Sequence, residues 1–273
     1  MKSVLKYPGA KWNLAQWIIS HMPPHTTYLE PFFGSGAVFF NKPPSKVETI
    51  NDLDSNVVNL FRVIREKPQE LAALVEMTPW ARDEYYASYE KTGDKLEDAR
   101  RFLVRCWQSF GQVTTNSRGG WRHSGTDKFN RALELRKIPN AILEVAERLK
   151  TVQIENKSAI ELIKKYAAEH VLIYADPPYL WETRTFKQHG RKTYTHEMTD
   201  ADHTELLDIL DKHPGPALLS GYACSLYDNR LLHWTRRTTK AQAEKGQMRE
   251  EVLWINPVAA KTTGQLTMFD VMG

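Results

Sequence analysis

The sequence predicts an α/β fold, one sheet with helices on both faces, interrupted by a helical insertion. Two observations carry that prediction. Segments that read as strands alternate with segments that read as helices over residues 1–66 and again over 151–260. Between them, over 67–150, the alternation stops and helical patterns dominate. Residues 261–273 follow as a flexible tail.

Each element has a local reason. NLAQWIISHMP (Asn13 to Pro23) carries apolar residues at helical spacing and stops at a proline pair, so a short helix is expected. TTYLEPFFGSG reads as a strand entering a glycine turn, and GAVFFNK as the helix after it. KVETINDLD reads as a second strand with acids at its C-terminal end, and SNVVNLFRVIRE as a helix opened by a Ser/Asn cap. Such alternation implies parallel strands joined by right-handed crossovers. DARRFLVRCWQSFG and NAILEVAERLK read as helices of the insertion, separated by the Gly-, Ser- and Thr-rich GQVTTNSRGGWRHSGTDK. The alternation resumes with strand VQIEN, helix SAIELIKKYAAEH and strand VLIYADPPY. Helix DADHTELLDILDKH and strands PALLSGY and REEVLWINP complete it.

Composition bounds the function. No apolar run approaches the roughly 20 residues that cross a bilayer, and MKSVLKYPGAKW lacks a signal-peptide core. A cytoplasmic, nucleoid-associated protein is therefore expected. Its two cysteines, Cys106 and Cys224, form no metal-binding pattern, and no metal is expected. The net charge of +4 is unevenly spread: Ala99 to Lys137 holds nine Lys or Arg against Asp127 and Glu134. That segment suits a polyanion, or is a solvated helix face.

LEPFFGSGAV puts Gly34 and Gly36 at a strand-to-helix turn, where a missing Cβ admits a ligand. Asp52, at the end of the next strand, stands where carboxylates accept ribose hydroxyls. Phe39 replaces the third glycine of a dinucleotide fingerprint, and no GxxxxGK[ST] lysine is present to cradle phosphates. Glu30 precedes the turn and, as an anion, would repel phosphate and attract a cation. S-adenosylmethionine, with ribose, adenine, amino group and sulfonium, fits these features.

LIYADPPYLW then ends a buried strand in a carboxylate and two prolines. Strand-end placement brings Asp176 to the crevice of Gly34 and Asp52. A nucleobase exocyclic amine is a poor nucleophile, and accepting its two N–H bonds frees its lone pair. Asp176 and the Pro177 carbonyl supply two acceptors, Pro178 stiffens the turn, and Tyr179 offers a face on which a flipped base stacks.

At this point the chain resembles the Dam-like (alpha-class) DNA adenine-N6 methyltransferases, including their phage and prophage type. The resemblance rests on KYPGAK, LEPFFGSGAV, INDLDSNVVNLF, IYADPPY, YTHEMTDADHTELL and EEVLWIN. It implies a Rossmann-like S-adenosylmethionine-dependent methyltransferase sheet that methylates a flipped adenine in duplex DNA, with the insertion as target-recognition domain. It implies that Tyr7 and Lys11 contact the donor, that Lys11 also reaches DNA, that Asp52 holds the ribose, and that Asp176 to Tyr179 form the catalytic tetrapeptide. Glu30, Pro31, Phe32, Gly34, Ser35, Gly36, Ser158 and Asp176 complete the expected donor site. Ser158 stands where the family often has aspartate. The insertion lacks the spacing of GATC-recognising members, so no target site is assigned.

Candidate DNA contacts are Arg118, Trp121 and Arg122 in the insertion and Arg184, Lys187, Arg191 and Lys192 after the tetrapeptide. Trp121 has the alternative of a core anchor. The tail GQLTMFDVMG resembles the short peptides that dock on sliding clamps, through Gln265, Leu266, Met268 and Phe269. Rival readings are methylation of RNA adenine or cytosine N4, and a catalytically silent DNA-binding module.

Overall fold

The computed structural model describes residues 1–110, 119–123, 132–183, 194–242 and 248–261. In chain order the elements are α1 (Ala15–Ile19), β1 (Thr27–Glu30), β2 (Val47–Asn51) and α2 (Ser55–Glu66). Then come α3 (Pro68–Glu76), α4 (Arg82–Ala87), α5 (Lys95–Gln108), α6 (Ala132–Leu135) and α7 (Ile138–Leu149). The second half contains β3 (Gln153–Glu155), α8 (Ala159–Lys165), β4 (Val171–Ala175) and α9 (Asp200–Asp211). β5 (Ala217–Tyr222), α10 (Ser225–Arg230), β6 (Thr235–Gln242) and β7 (Met248–Ile255) complete it.

The strands form a seven-stranded sheet in the order β3-β2-β1-β4-β5-β7-β6. The five strands from β3 to β5 run parallel, while β7 is antiparallel to both β5 and β6. The sheet is thus mixed rather than wholly parallel, because β6 and β7 pair as a hairpin and return to β5. β6 (TRRTTKAQ) carries no apolar alternation, so nothing in its own sequence announces it.

Period-two burial covers both faces. Leu172 and Tyr174 of β4 join the core under α1, α2, α5 and α7, while Val171, Ile173 and Ala175 join the core under α8, α9 and α10. The helices of the insertion share the first of these cores: Leu71, Phe102, Ile142 and Val145 pack in one cluster with Phe61 and Ile50.

Local details depart from the sequence reading in two places. GAVFFNK forms a series of turns, not a regular helix; Phe40 N–H donates to the Gly36 carbonyl and Lys42 N–H to that of Val38, and Pro43 and Pro44 stop continuation. The cap of α2 is Asp54, whose carboxylate accepts from the Asn56 N–H at 2.9 Å, one residue before the expected Ser/Asn pair. No helix among the described residues is long and apolar enough to cross a membrane.

Strand order reverses between β1 and β4, because the chain runs out to β3 on one side and to β6 on the other. A crevice outside the carboxyl ends of these strands is the expected ligand position.

Candidate active site

A cavity of about 250 Å³ opens at that reversal. It is lined by Tyr7 and Lys11 from the N-terminal loop, Glu30, Pro31, Phe32, Gly34 and Ser35 after β1, and Asp52 after β2. Ser158 at the head of α8 and Asp176, Pro177, Pro178 and Tyr179 after β4 close it. The expected donor residues and the tetrapeptide therefore meet in one crevice, with one exception.

Gly36 does not line the cavity. Its φ is +67°, and an added Cβ would stand 2.4 Å from the Phe33 ring and 2.5 Å from that of Phe40. It is a packing glycine. Gly34, at φ +50°, does line the cavity, and its N–H donates to Asp52 Oδ2 at 2.8 Å. The Asp54 N–H donates to Asp52 Oδ1 at 2.8 Å. Burial nevertheless pushes the Asp52 carboxyl up to about 7, more strongly than these backbone bonds pull it down.

Glu30 differs from its expected form. It is buried, accepts from the Tyr28 hydroxyl at 2.7 Å, and is pushed by burial up to about 8. At neutral pH it is mostly protonated, so it is an anion only if a cation settles beside it. The folded protein keeps this proton across the range in which an exposed glutamate has released it. Stability should therefore fall as pH rises from about 4.5 to about 8. Glu30→Gln is expected to flatten that decline, as read by thermal melts of the donor-free protein across the range.

The catalytic corner is a charged network. Lys11 is 4% exposed, and its ammonium lies 3.2 Å from Asp176 Oδ1 and 3.6 Å from Glu251 Oε2 and donates to the Tyr179 hydroxyl. Burial opposes its charge, yet Asp176 and Glu251 outweigh burial and hold the ammonium above the usual lysine range. So enclosed, Lys11 is a cavity residue, and only a base that enters the cavity comes within its reach. Asp176 Oδ1 also accepts from Ser220 at 2.8 Å, and Ser220 in turn bonds Tyr174 at 2.9 Å. Burial raises the Asp176 carboxyl even against Lys11 and Ser220. The Tyr179 ring packs against Tyr222 with centroids 4.5 Å apart.

The sequence reading missed Glu251, Ser220, Tyr222 and Asp54. Asp54 also accepts from Thr195 at 2.8 Å, drawing the segment around Tyr194 and His196 to the cavity rim. EEVLWIN held one signal: an acid placed directly against the apolar run Val252 to Ile255.

The basic segment is partly internal. Arg100 pairs with Glu84 and Glu97, Arg101 with Glu97, and buried Arg105 donates to the Ser88 carbonyl. Trp121 is half-buried, donates to Gln108 at 3.0 Å and lies under the Arg82 guanidinium. The Arg122 backbone is tied to Gln108 and Trp80. Arg118, Arg184, Lys187, Arg191, Lys192 and the tail from Gln265 to Phe269 lie outside the described residues.

The donor set can be tested against candidate ligands. Among the described lining residues, Glu30, Asp52, Asp54, Asp176, Glu197 and Asp202 face a single lysine, Lys11. Even with Glu30 mostly protonated, such a set repels phosphate and suits a cation bearing hydroxyls, with Phe32 and Ile160 as apolar walls. It fits S-adenosylmethionine.

The profile of the D12 class N6 adenine-specific DNA methyltransferases matches residues 7–245. The chain is 29% identical over 210 residues to the type II methyltransferase M1.LlaDCHI of Lactococcus lactis subsp. cremoris, covering 72% of this chain and 71% of that protein. It is 27% identical over 224 residues to a DNA adenine methylase of Vibrio cholerae, 77% and 76% of the two chains. Against the DNA adenine methylase of Escherichia coli (strain K12) it is 25% identical over 247 residues, 85% and 86%. With its fold, its strand-end cavity and this match along most of its length, the chain belongs to the D12 class N6 adenine-specific DNA methyltransferase family.

Proposed function

We propose that this enzyme methylates N6 of an adenine turned out of duplex DNA, with Asp176 and the Pro177 carbonyl as the two acceptors of the amine. One observation carries the reading: Asp176 Oδ1 is occupied by Ser220 and Lys11, while no described residue donates to Oδ2, and the side chain lines the cavity. Oδ2 is thus the oxygen available to one N–H. Pro177 and Pro178 bring a carbonyl close without a competing N–H. Tyr179, braced by Tyr222, is the wall on which the base rests.

S-adenosylmethionine, when bound, supplies a methyl group on a positively charged sulfur, which keeps the electron pair of the bond that breaks. Asp52 receives the ribose hydroxyls, and the Glu30 carboxyl gives up its proton beside the cationic end. Asp176 polarises the amine before transfer and takes the proton released as N6 goes from NH2 to NHCH3. Its burial-raised proton affinity suits that second task. Orientation of amine and donor contributes most of the acceleration.

The insertion 67–150, with Arg118, Trp121 and Arg122, selects the target, and Arg184, Lys187, Arg191 and Lys192 embrace the extruded base. A DNA substrate puts the working enzyme in the cytoplasm, at the nucleoid. The tail from Gln265 to Phe269 is assigned to a sliding clamp on its sequence alone; failure of the immobilised peptide to retain purified clamp ends that assignment.

The direct assay supplies labelled donor with duplex DNA or single-stranded RNA, then identifies the modified base. N6-methyladenine in duplex DNA is the expected product. Label in RNA at an equal rate, or in cytosine, overturns the reading.

A further inference from the structure

We infer that Glu251 is a positioning residue of the transfer reaction, giving the Lys11 ammonium a second seat so that it does not close on Asp176 alone. The inference rests on the reading of Asp176 as the amine acceptor.

Glu251 comes from β7, where it stands opposite Tyr222 of β5 and Thr239 of β6. The next four residues, Val252 to Ile255, are buried and apolar. A hydrophobe at 251 would continue that pattern and pack equally well on Tyr222. Instead a carboxylate whose side chain is 7% exposed enters the cavity wall. Its Oε1 accepts from the Tyr179 hydroxyl at 3.3 Å. Its Oε2 has no hydrogen-bond donor among the described residues and lies 3.6 Å from the Lys11 ammonium. Burying a carboxylate with one oxygen so served is costly, and an electrostatic duty to Lys11 accounts for it.

That duty follows from what the reaction needs. Lys11 beside Asp176 keeps a buried carboxylate ionised and ready to accept N–H bonds. The same ammonium, if wholly committed to Asp176, competes with the incoming amine for its oxygens. Lys11 lies between the two carboxylates, so its charge is divided. When the amine arrives, Lys11 can lean toward Glu251 and leave Asp176 to the substrate. Glu251 also fixes the Tyr179 hydroxyl, and Tyr222 fixes the ring from the neighbouring strand.

Other titratable groups facing this pair are Glu30 of β1, Tyr174 of β4, Tyr179, Tyr194, Tyr222 of β5 and Tyr227. Burial raises Tyr174, Tyr179, Tyr222 and Tyr227, so these keep their protons in the working range. Glu30 titrates within it and must be held constant in comparing variants.

The test is Glu251→Gln, which keeps the shape and the acceptor for Tyr179 but removes the charge. With full-length enzyme, duplex DNA and S-adenosylmethionine, kcat is expected to fall roughly 10–100-fold, with KM for donor and DNA within about twofold. The acid limb of the kcat profile should move to lower pH. Losing a neighbouring negative charge lets Asp176 ionise more readily, a displacement that a merely structural loss does not produce. In a Lys11→Met background the same substitution should cost little more, because the effect runs through Lys11. An unmoved limb, or an equal loss in the Lys11→Met background, overturns the inference. If Glu251→Gln fails to fold, Glu251→Asp keeps the charge and should lower kcat without moving the limb; a moved limb overturns it. Asp176→Ala measured alongside separates the two ideas. If that variant still transfers methyl, the acceptor reading fails; if it is silent while Glu251→Gln is unchanged, only the role of Glu251 fails.

Discussion

Asp176→Ala is expected to reduce methyl transfer by roughly 10³-fold, within the span of a lost general base, while DNA affinity stays within about twofold. The substitution deletes the acceptor of the amine and of its proton. It leaves the cavity wall otherwise intact, because Lys11 keeps Glu251 and Ser220 keeps Tyr174. The side chain is 18% exposed and faces the cavity rather than an outer surface, so phosphate contacts are untouched. Asp176→Asn, which retains one oxygen acceptor, should preserve more activity than alanine. Incorporation of labelled methyl and a gel-shift titration on the same duplex read the two quantities separately. Transfer at the parental rate would remove Asp176 from the chemistry.

The largest effect on stability is expected at Glu48. This β2 carboxylate is 3% exposed, receives Lys42 at 2.6 Å, and is gripped by both terminal nitrogens of Arg148, at 2.5 and 2.7 Å. Burial works against its ionisation, but the bonds from Arg148 and Lys42 outweigh burial and hold it below the usual range. Glu48→Ala strands two buried cations, whose side chains are 2% and 8% exposed. Breaking a buried pair in this way costs about 3–5 kcal/mol, on the order of 10 °C in melting temperature for a chain of this size. Arg148 lies on α7 and Lys42 follows the glycine turn, so the loss loosens the insertion helices from the sheet. A melt in which Glu48→Ala matches the parent would show that the network contributes nothing net.

The parts of the site that the sequence revealed are those written into the backbone. Gly34, Asp52 and Asp176 sit at strand ends, where a turn residue or an acid interrupts an apolar run, so each is visible within about ten residues of chain. The sheet halves and the helical insertion were visible for the same reason: periodicity is local. What stayed hidden depends on tertiary pairing. β6 has no apolar period and exists because β7 pairs with it. Glu251 reads as a surface acid until the antiparallel return of β7 turns it toward Lys11. Gly36 reads as a ligand-approach glycine, but the rings of Phe33 and Phe40 crowd it, and GAVFFNK gave up helical regularity to bury Phe39 and Phe40. Lys11 shows the same limit: KYPGAK displays a cation, but its enclosure between Asp176 and Glu251 is set by strands far along the chain.

Lys11 precedes β1 and Glu251 lies on β7, so the ammonium and its second carboxylate come from distant parts of the sheet's chain order. Its two carboxylate partners are separated by α9, α10 and the strands β5 and β6, so nothing that precedes β7 in the chain completes the network. Full competence to modify a base therefore requires the β6–β7 hairpin to dock on β5, and a chain lacking it would miss both the second seat of Lys11 and the anchor of the Tyr179 hydroxyl.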